Sequence, residues 1–207
     1  MELKQAIASR ASVREFTGDE VPIEDLREMV RLAGRAPSVN NAQPWRFIVV
    51  QKRALKTAMA DAVRLKLQEL LPEPGCDEQE GRYKALCTYC TFFEHAPAVV
   101  AVGTRNYEAM LDKAVERAMH ISSHELRGHP DEASLGASIQ TLLLAATDMG
   151  YGACWMTGPL VARPELEALL GIEHPWRLGA LVSIGRPAAQ VQPTDKLPVE
   201  QIFELRA

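Results

Sequence analysis

The chain has no apolar run long enough to cross a bilayer. Its best stretch, residues 141–146, falls far short of the roughly 18 uncharged residues that a spanning helix needs. The opening MELKQAIASR scatters charges and offers no apolar h-region, so no secretory signal is expected. Four cysteines in 207 residues are too few for a disulfide framework, and a cytoplasmic location is the expectation. Basic residues are not in excess. With 23 Lys and Arg against 27 Asp and Glu, the net charge is -4, which removes the electrostatic case for nucleic acid as a partner. Repeats and low-complexity linkers are lacking, so residues 1–207 are expected to form one domain. Also missing are G-x-G-x-x-G, a Walker loop and the G-x-S-x-G elbow, so Rossmann-type dinucleotide binding has no support.

What is present is an ordinary globular composition, 47% hydrophobic and 24% charged. Helical spacing predicts a short helix over 2–10 and a second after Pro22, with Ile23, Leu26, Met29, Val30 and Ala33 recurring along it. Pro22 suits a first turn, and Glu24 and Asp25 complement the dipole there. Further helices are expected over 54–71, 133–149 and 164–170. That over 133–149 is the strongest, aligning Leu135, Ile139, Leu142, Leu143 and Ala146. Residues 76–81 are acidic and expected to be exposed, and 106–126 read as a long helix or helix-rich excursion. Strands are expected over 47–50, 96–103, 153–157 and 178–184. The tail, 186–207, is rich in Pro and Gln, with a short strand expected over 201–205. It has few apolar residues to fold back on itself, as in tails donated to a partner chain. The fold class is α+β, a small central mixed β-sheet of about four strands covered by helices.

Three stretches carry candidate chemistry. In RASVREF, Arg10, Ser12 and Arg14 alternate, so extended backbone points all three the same way. Two guanidiniums and a hydroxyl suit phosphate or another oxyanion, and the same charges suit a solvated connector. In APSVNNAQPWRF, residues 36–47, the amides of Asn40, Asn41 and Gln43 and the hydroxyl of Ser38 lie between or beside Pro37 and Pro44. Their mixed donors and acceptors fit the edge of a heteroaromatic ring or a chain of ribityl hydroxyls, though turns use the same residues. Trp45 is expected in the core. In YGACWMTGP, residues 151–159, an apolar strand ends at Thr157 and Gly158, where a backbone N–H can approach a flat ligand. Cys87 and Cys90 form a C-x-x-C unit without two further ligands and outside a βαβ setting, so they read as buried free thiols on a helix. His120 and His124 lack the intervening Glu of a metalloprotease signature, and no metal is expected.

AIASRASVREF, APSVNNAQPWRFIVV, ASIQTLLLAATDMGYGACWMTG and LVSIGRP with DKLPVEQIF follow one another across almost the whole chain. In that order they resemble the nitroreductase family of FMN-dependent oxidoreductases. The resemblance implies a nitroreductase-like fold and an intertwined homodimer, FMN at its interface and the tail 186–207 wrapping the partner subunit. It implies that Arg10 holds the FMN phosphate with help from Lys196, that Ser12 binds nearby, and that Arg14 lies at the N1/O2 edge. Ala11, Pro37, Ser38, Asn41, Gln43, Ser134 and Met156 are implied cofactor contacts, with Thr157 and Gly158 near N5. The implied reaction is ping-pong: NADH or NADPH gives a hydride to flavin N5, which passes it to a small acceptor such as a nitroaromatic or quinone. No side chain is required as general acid or nucleophile. Some members carry an acid where Thr157 stands, and residues 76–90 and 106–126 follow no family pattern, so the acceptor is left open. Alternatives are a reductive dehalogenase or flavin-fragmenting enzyme with its lid at 106–126, or a flavin-binding sensor or store without turnover.

Overall fold

The computed structural model describes residues 1–73, 75–107, 110–119 and 127–206. In chain order the elements are α1 (Leu3–Ser9), α2 (Ile23–Ala33), β1 (Trp45–Val50), α3 (Arg53–Leu70), α4 (Asp77–Thr91) and β2 (Ala98–Arg105). There follow α5 (Met110–Met119), α6 (Pro130–Asp148), β3 (Gly152–Met156), α7 (Arg163–Leu170), β4 (Trp176–Gly185) and α8 (Val199–Ile202). The strands form one sheet in the order β1-β2-β4-β3.

Every pairing between these strands is antiparallel. The expected mixed sheet therefore has its parallel component only at an isolated bridge, Ser12 with Ala153. The physical reason is connectivity: parallel neighbours need a crossover between them, and the ones this chain makes return each strand beside an oppositely directed one.

Side-chain alternation gives the sheet two buried faces. Ala98, Val100, Val102, Ala180, Val182 and Ile184 pack beneath α2 and α6, together with Leu26, Met29, Ile139 and Leu142. Val99, Ala101, Leu178 and Leu181, with Cys154 and Met156 of β3, face Met59, Val63, Phe93 and Leu166 on the opposite side. Trp45 packs against the first of these clusters, as its place in the core requires. The β2–β4 register shifts between Val102 and Gly103, leaving Gly179 of β4 outside the pairing. A Cβ at Gly179 would come within 2.4 Å of Leu135 Cδ2, so this bulge glycine lets α6 seat closely on the sheet.

The expected elements are present with ends moved by a few residues. The acidic stretch 76–81 is exposed and supplies the first turn of α4, where Asp77, Glu78 and Glu80 complement the dipole. Of the excursion 106–126, the described part contains α5; His120 and His124 lie outside the described residues. The tail departs from expectation at 201–205. Val199–Ile202 is a short helix entered from Pro198, and Phe203 onward is irregular, because no strand of this chain lies alongside to pair with it. The tail is pinned only at its start, where Thr17 N–H donates to Arg186 O at 2.8 Å and Ala188 N–H to Glu15 O at 3.1 Å. Farther along, Leu197, Ile202, Phe203 and Leu205 are exposed.

Candidate functional site

The amide-rich loop is held in a strained shape. Asn40 (φ 54°), Asn41 (φ 54°) and Gln43 (φ 45°) all adopt left-handed backbone without being glycine. Asparagine tolerates that region better than most residues, and clustered outliers of this kind mark ligand clamps. Hydrogen bonds fix the turn from inside: Asn41 N–H donates to Ser38 O at 3.0 Å and Gln43 N–H to Ser38 Oγ at 3.0 Å. The Gln43 amide donates to Asn41 Oδ1 at 3.3 Å, and both side chains remain exposed. Pro37 is exposed and Pro44 buried, so the loop is stiffened at both ends and anchored at one. Ser134 ties the loop to α6. Its hydroxyl, 3% exposed as a residue, accepts from Val39 N–H at 3.3 Å and donates to Pro130 O at 2.7 Å.

The arginine segment lies at the far edge of the sheet, beside β3. Val13 N–H donates to Ala153 O at 3.1 Å, and Val13 is buried while Ser12 and Arg14 are exposed, as alternation demands. Gly152 makes this approach possible, since a Cβ there would sit 2.7 Å from the Val13 side chain. Arg10, Ser12 and Arg14 each bear on the acidity of the Cys154 thiol. Burial pushes that thiol up, while Arg14, a hydrogen bond with Ser12, and Arg10 pull it back. Arg14 also stacks toward Tyr89 of α4, its Cζ 5.8 Å from the ring centroid, and reaches back to Ser12 O at 3.4 Å. A cleft of about 240 Å³ runs between Arg14, Tyr89, Phe92 and the stretch from Cys154 to Pro159. Met156 is buried on that cleft's wall and Thr157 is exposed.

Gly158 has a different reason from the one its position in the sequence suggests. Its missing Cβ points toward Cys90 Sγ, 3.2 Å away, and the Tyr89 ring, so the glycine makes room for α4. Ala11 faces a separate groove of about 460 Å³ shared with Gln5, Val13, Tyr151 and the tail at Val191. Lys196 lies on the exposed tail, donating to Thr194 Oγ1 at 3.2 Å, apart from the side chains around Cys154. Cys90 is buried and Cys87 half-buried, both as free thiols on α4.

Sequence reasoning missed Cys154, Tyr89 and Phe92 as neighbours of Arg14. For Cys154 a signal existed, since strand alternation sets it opposite Trp155 in facing direction. Tyr89 and Phe92 come from a helix without a recognisable pattern, and only tertiary packing brings them in. The two polar clusters stand at opposite edges. The loop leads into β1, the arginine segment flanks β3, and β2 and β4 lie between them. Four inter-strand spacings, from β1 to the segment beyond β3, make that about 19 Å. Among the described residues, no hydrogen bond or ion pair joins the two clusters.

The sequence model of the nitroreductase family matches residues 7–186. This chain is 30% identical to an NADH dehydrogenase of Thermus thermophilus over 98% of its own length and 95% of the relative's. It is 25% identical to an iodotyrosine deiodinase of Nematostella vectensis, covering 99% of this chain and 75% of that one. A BluB-like flavoprotein from Clostridium difficile superposes with a TM-score of 0.89 at 33% identity, with both chains covered in full. Among the described residues, no helix is long and apolar enough to cross a membrane.

Proposed function

Because this chain belongs to the nitroreductase family, we propose that it is an FMN-dependent oxidoreductase. It takes a hydride from NADH or NADPH and delivers it to a small acceptor such as a nitroaromatic or quinone, working as a cytoplasmic homodimer. The observation that carries this reading is the segment from Ser12 to Arg14 laid along β3, with Ser12 and Arg14 exposed and Arg14 lining the cleft with Cys154 and Thr157. Two cations and a hydroxyl on one extended segment fit a phosphate and an electron-rich ring edge. The donor set therefore suits FMN: Arg10 and Ser12 would hold its phosphate and Arg14 the N1/O2 edge. The exposed amides of Asn41 and Gln43, with Pro37 and Ser38, would meet its polar face, and Met156, Thr157 and Gly158 would border it at the end of β3. Bound there, the flavin supplies the hydride-accepting N5.

The protein's own share is orientation and electrostatics. Arg14 holds positive charge where negative charge collects on reduction, in a cleft walled by Tyr89 and Phe92. Ser134 keeps the loop in its strained shape, acting through Val39. Opposite-edge placement of the loop and the arginines supports the dimer, with a second copy bringing its loop to the arginine face. The exposed Leu197, Ile202, Phe203 and Leu205 support a tail, 186–207, that wraps that copy and carries Lys196 toward a phosphate.

A second reading within the family rests on the likeness to the BluB-like flavoprotein and to the deiodinase: a specialised flavin-fragmenting enzyme or reductive dehalogenase. One experiment separates the readings. The absorption spectrum of the purified protein is taken, then followed anaerobically with NADH and with NADPH. A flavin spectrum bleached within seconds and restored by a quinone supports the oxidoreductase. Flavin that neither nucleotide bleaches sinks it in favour of the specialised enzyme or a sensor, and protein that stays colourless after added FMN removes both.

A further inference from the structure

Away from the arginine segment, a second cleft of about 600 Å³ opens between the start of α3 and the turn before β2, lined by Arg53, Lys56, Glu94, His95 and Glu20. At its floor lies an oddity. Lys56 is only 5% exposed, yet its ammonium is met by carbonyls alone: Nζ donates to Ala96 O and to Pro97 O, the latter at 3.3 Å. Among the described residues neither Lys56 nor the exposed Arg53 forms an ion pair. A buried cation without a counter-ion is costly, and burial together with Arg53 pulls the Lys56 amine down.

The nearest acid does not resolve this. Glu94 is committed to Arg64, whose Nη2 stands 2.5 Å from its Oε2. Glu20 lies on the exposed rim. Two cations, one with an N–H beyond those given to the carbonyls, thus share an open cleft in which neither is paired with Glu94 or Glu20. We propose that Arg53 and Lys56 form an anion site that takes a phosphate group. Phosphate matches the site in charge and in its supply of acceptor oxygens. His95 lines this cleft and also the neighbouring one, of about 670 Å³, that holds Arg14, Phe16, Tyr89 and Phe92. The phosphate is therefore either a free anion or the end of a nucleotide whose body runs along that apolar cleft.

The test is calorimetric titration of the purified full chain with inorganic phosphate, 2′,5′-ADP and, as control, ADP. Arg53→Ala is the working variant, since Arg53 is exposed and its loss leaves the Lys56 hydrogen bonds intact. Saturable phosphate binding that weakens about tenfold in Arg53→Ala and vanishes in Arg53→Glu supports the site. A 2′,5′-ADP preference over ADP that disappears with Arg53 supports it with a nucleotide as the source. Without that preference, the source is free phosphate. Absence of saturable binding in the millimolar range overturns the proposal, as does binding that survives Arg53→Glu and is lost in Arg10→Ala.

Discussion

Removing one buried hydroxyl should unlatch the amide loop while leaving the fold in place. Each left-handed residue other than glycine costs about 1 kcal/mol, so Asn40, Asn41 and Gln43 together strain the loop by about 3 kcal/mol. Against this stand the bonds Val39 N–H to Ser134 Oγ, Gln43 N–H to Ser38 Oγ, Asn41 N–H to Ser38 O and Gln43 Nε2 to Asn41 Oδ1, each contributing about 1 kcal/mol net. The two sides nearly balance. Ser134→Ala deletes the side-chain bond that ties the loop to α6, and Pro130 O keeps its helical partner. The loop then spends much more of its time in other shapes, and a ligand that needs the native one binds about two- to threefold more weakly. Global stability should drop by about 1 kcal/mol, or roughly 2–4 °C in Tm for a chain of this size. The assay is FMN affinity by fluorescence quenching, beside a thermal melt. Adding Asn40→Gly relieves part of the strain and should recover much of the affinity. A Ser134→Ala protein that binds FMN like the wild type, with the double variant no different, would refute this account of the loop.

Gly152→Ala forces a Cβ to within 2.7 Å of the Val13 side chain; it should cost about 1–3 kcal/mol in urea unfolding, and a change below about 0.5 kcal/mol would mean the contact yields freely. Tyr151→Phe leaves the half-buried Asp25 carboxylate without the hydroxyl now 2.5 Å from its Oδ2, and should destabilise the α2–β3 junction by about 1–3 kcal/mol; an unchanged urea midpoint argues that water replaces the bond. Burial raises the Glu94 carboxyl, but hydrogen bonds from Arg64 and Thr57 outweigh it and hold the group below its ordinary value. Its contribution is thus present above about pH 4.5 and lost as pH falls through the lowered value, so Glu94→Gln should flatten that part of the acid limb of Tm against pH; an acid limb identical to the wild type counts against it. Mixing Arg14→Ala chains with Asn41→Ala/Gln43→Ala chains should restore about a quarter of wild-type sites if each site joins two subunits, since only mixed dimers carry one intact site; no recovery after subunit exchange would place both clusters in one chain's site.

The fold was legible wherever periodicity was strong. The aligned Leu135, Ile139, Leu142, Leu143 and Ala146 of α6 are buried together, and Leu26, Met29 and Ala33 of α2 face the same side. Local pattern was less informative where partners decide structure. Residues 201–205 carry Ile202, Phe203 and Leu205, as strands do, but a strand exists only beside another, and none of the described residues pairs with them. Likewise, the near-continuous apolar runs of β2 and β4 announce burial on both faces without revealing strand direction, so the antiparallel sheet had to be seen.

For the site, the residue types were readable and their reasons were less so. Alternation separates buried Val13 from exposed Ser12 and Arg14, because a two-residue period is local geometry. At Gly158, which lines the cleft, the bare Cα also accommodates Cys90 and Tyr89 of a helix sixty-odd residues away in sequence, a contact that local pattern does not announce. Ser134, a cofactor contact only by resemblance, engages its hydroxyl inside the chain with Val39 and Pro130. In both cases a residue that matters to the site serves it by setting the position of another group. The separation of the clusters carries the same lesson further. Adjacent in sequence order, the arginine segment and the amide loop are held at β3 and β1, the two rims of one rigid sheet. A strained loop with exposed amides stands at one rim, and the cleft lined by Arg14 and Cys154 at the other. Strain of that kind persists only where the surroundings over-determine it. Among the described residues those surroundings are the Ser134 hydroxyl, the turn itself and the bond from Arg105 N–H to Pro44 O at 3.1 Å, so the loop's shape rests on few bonds and answers to the loss of any one of them.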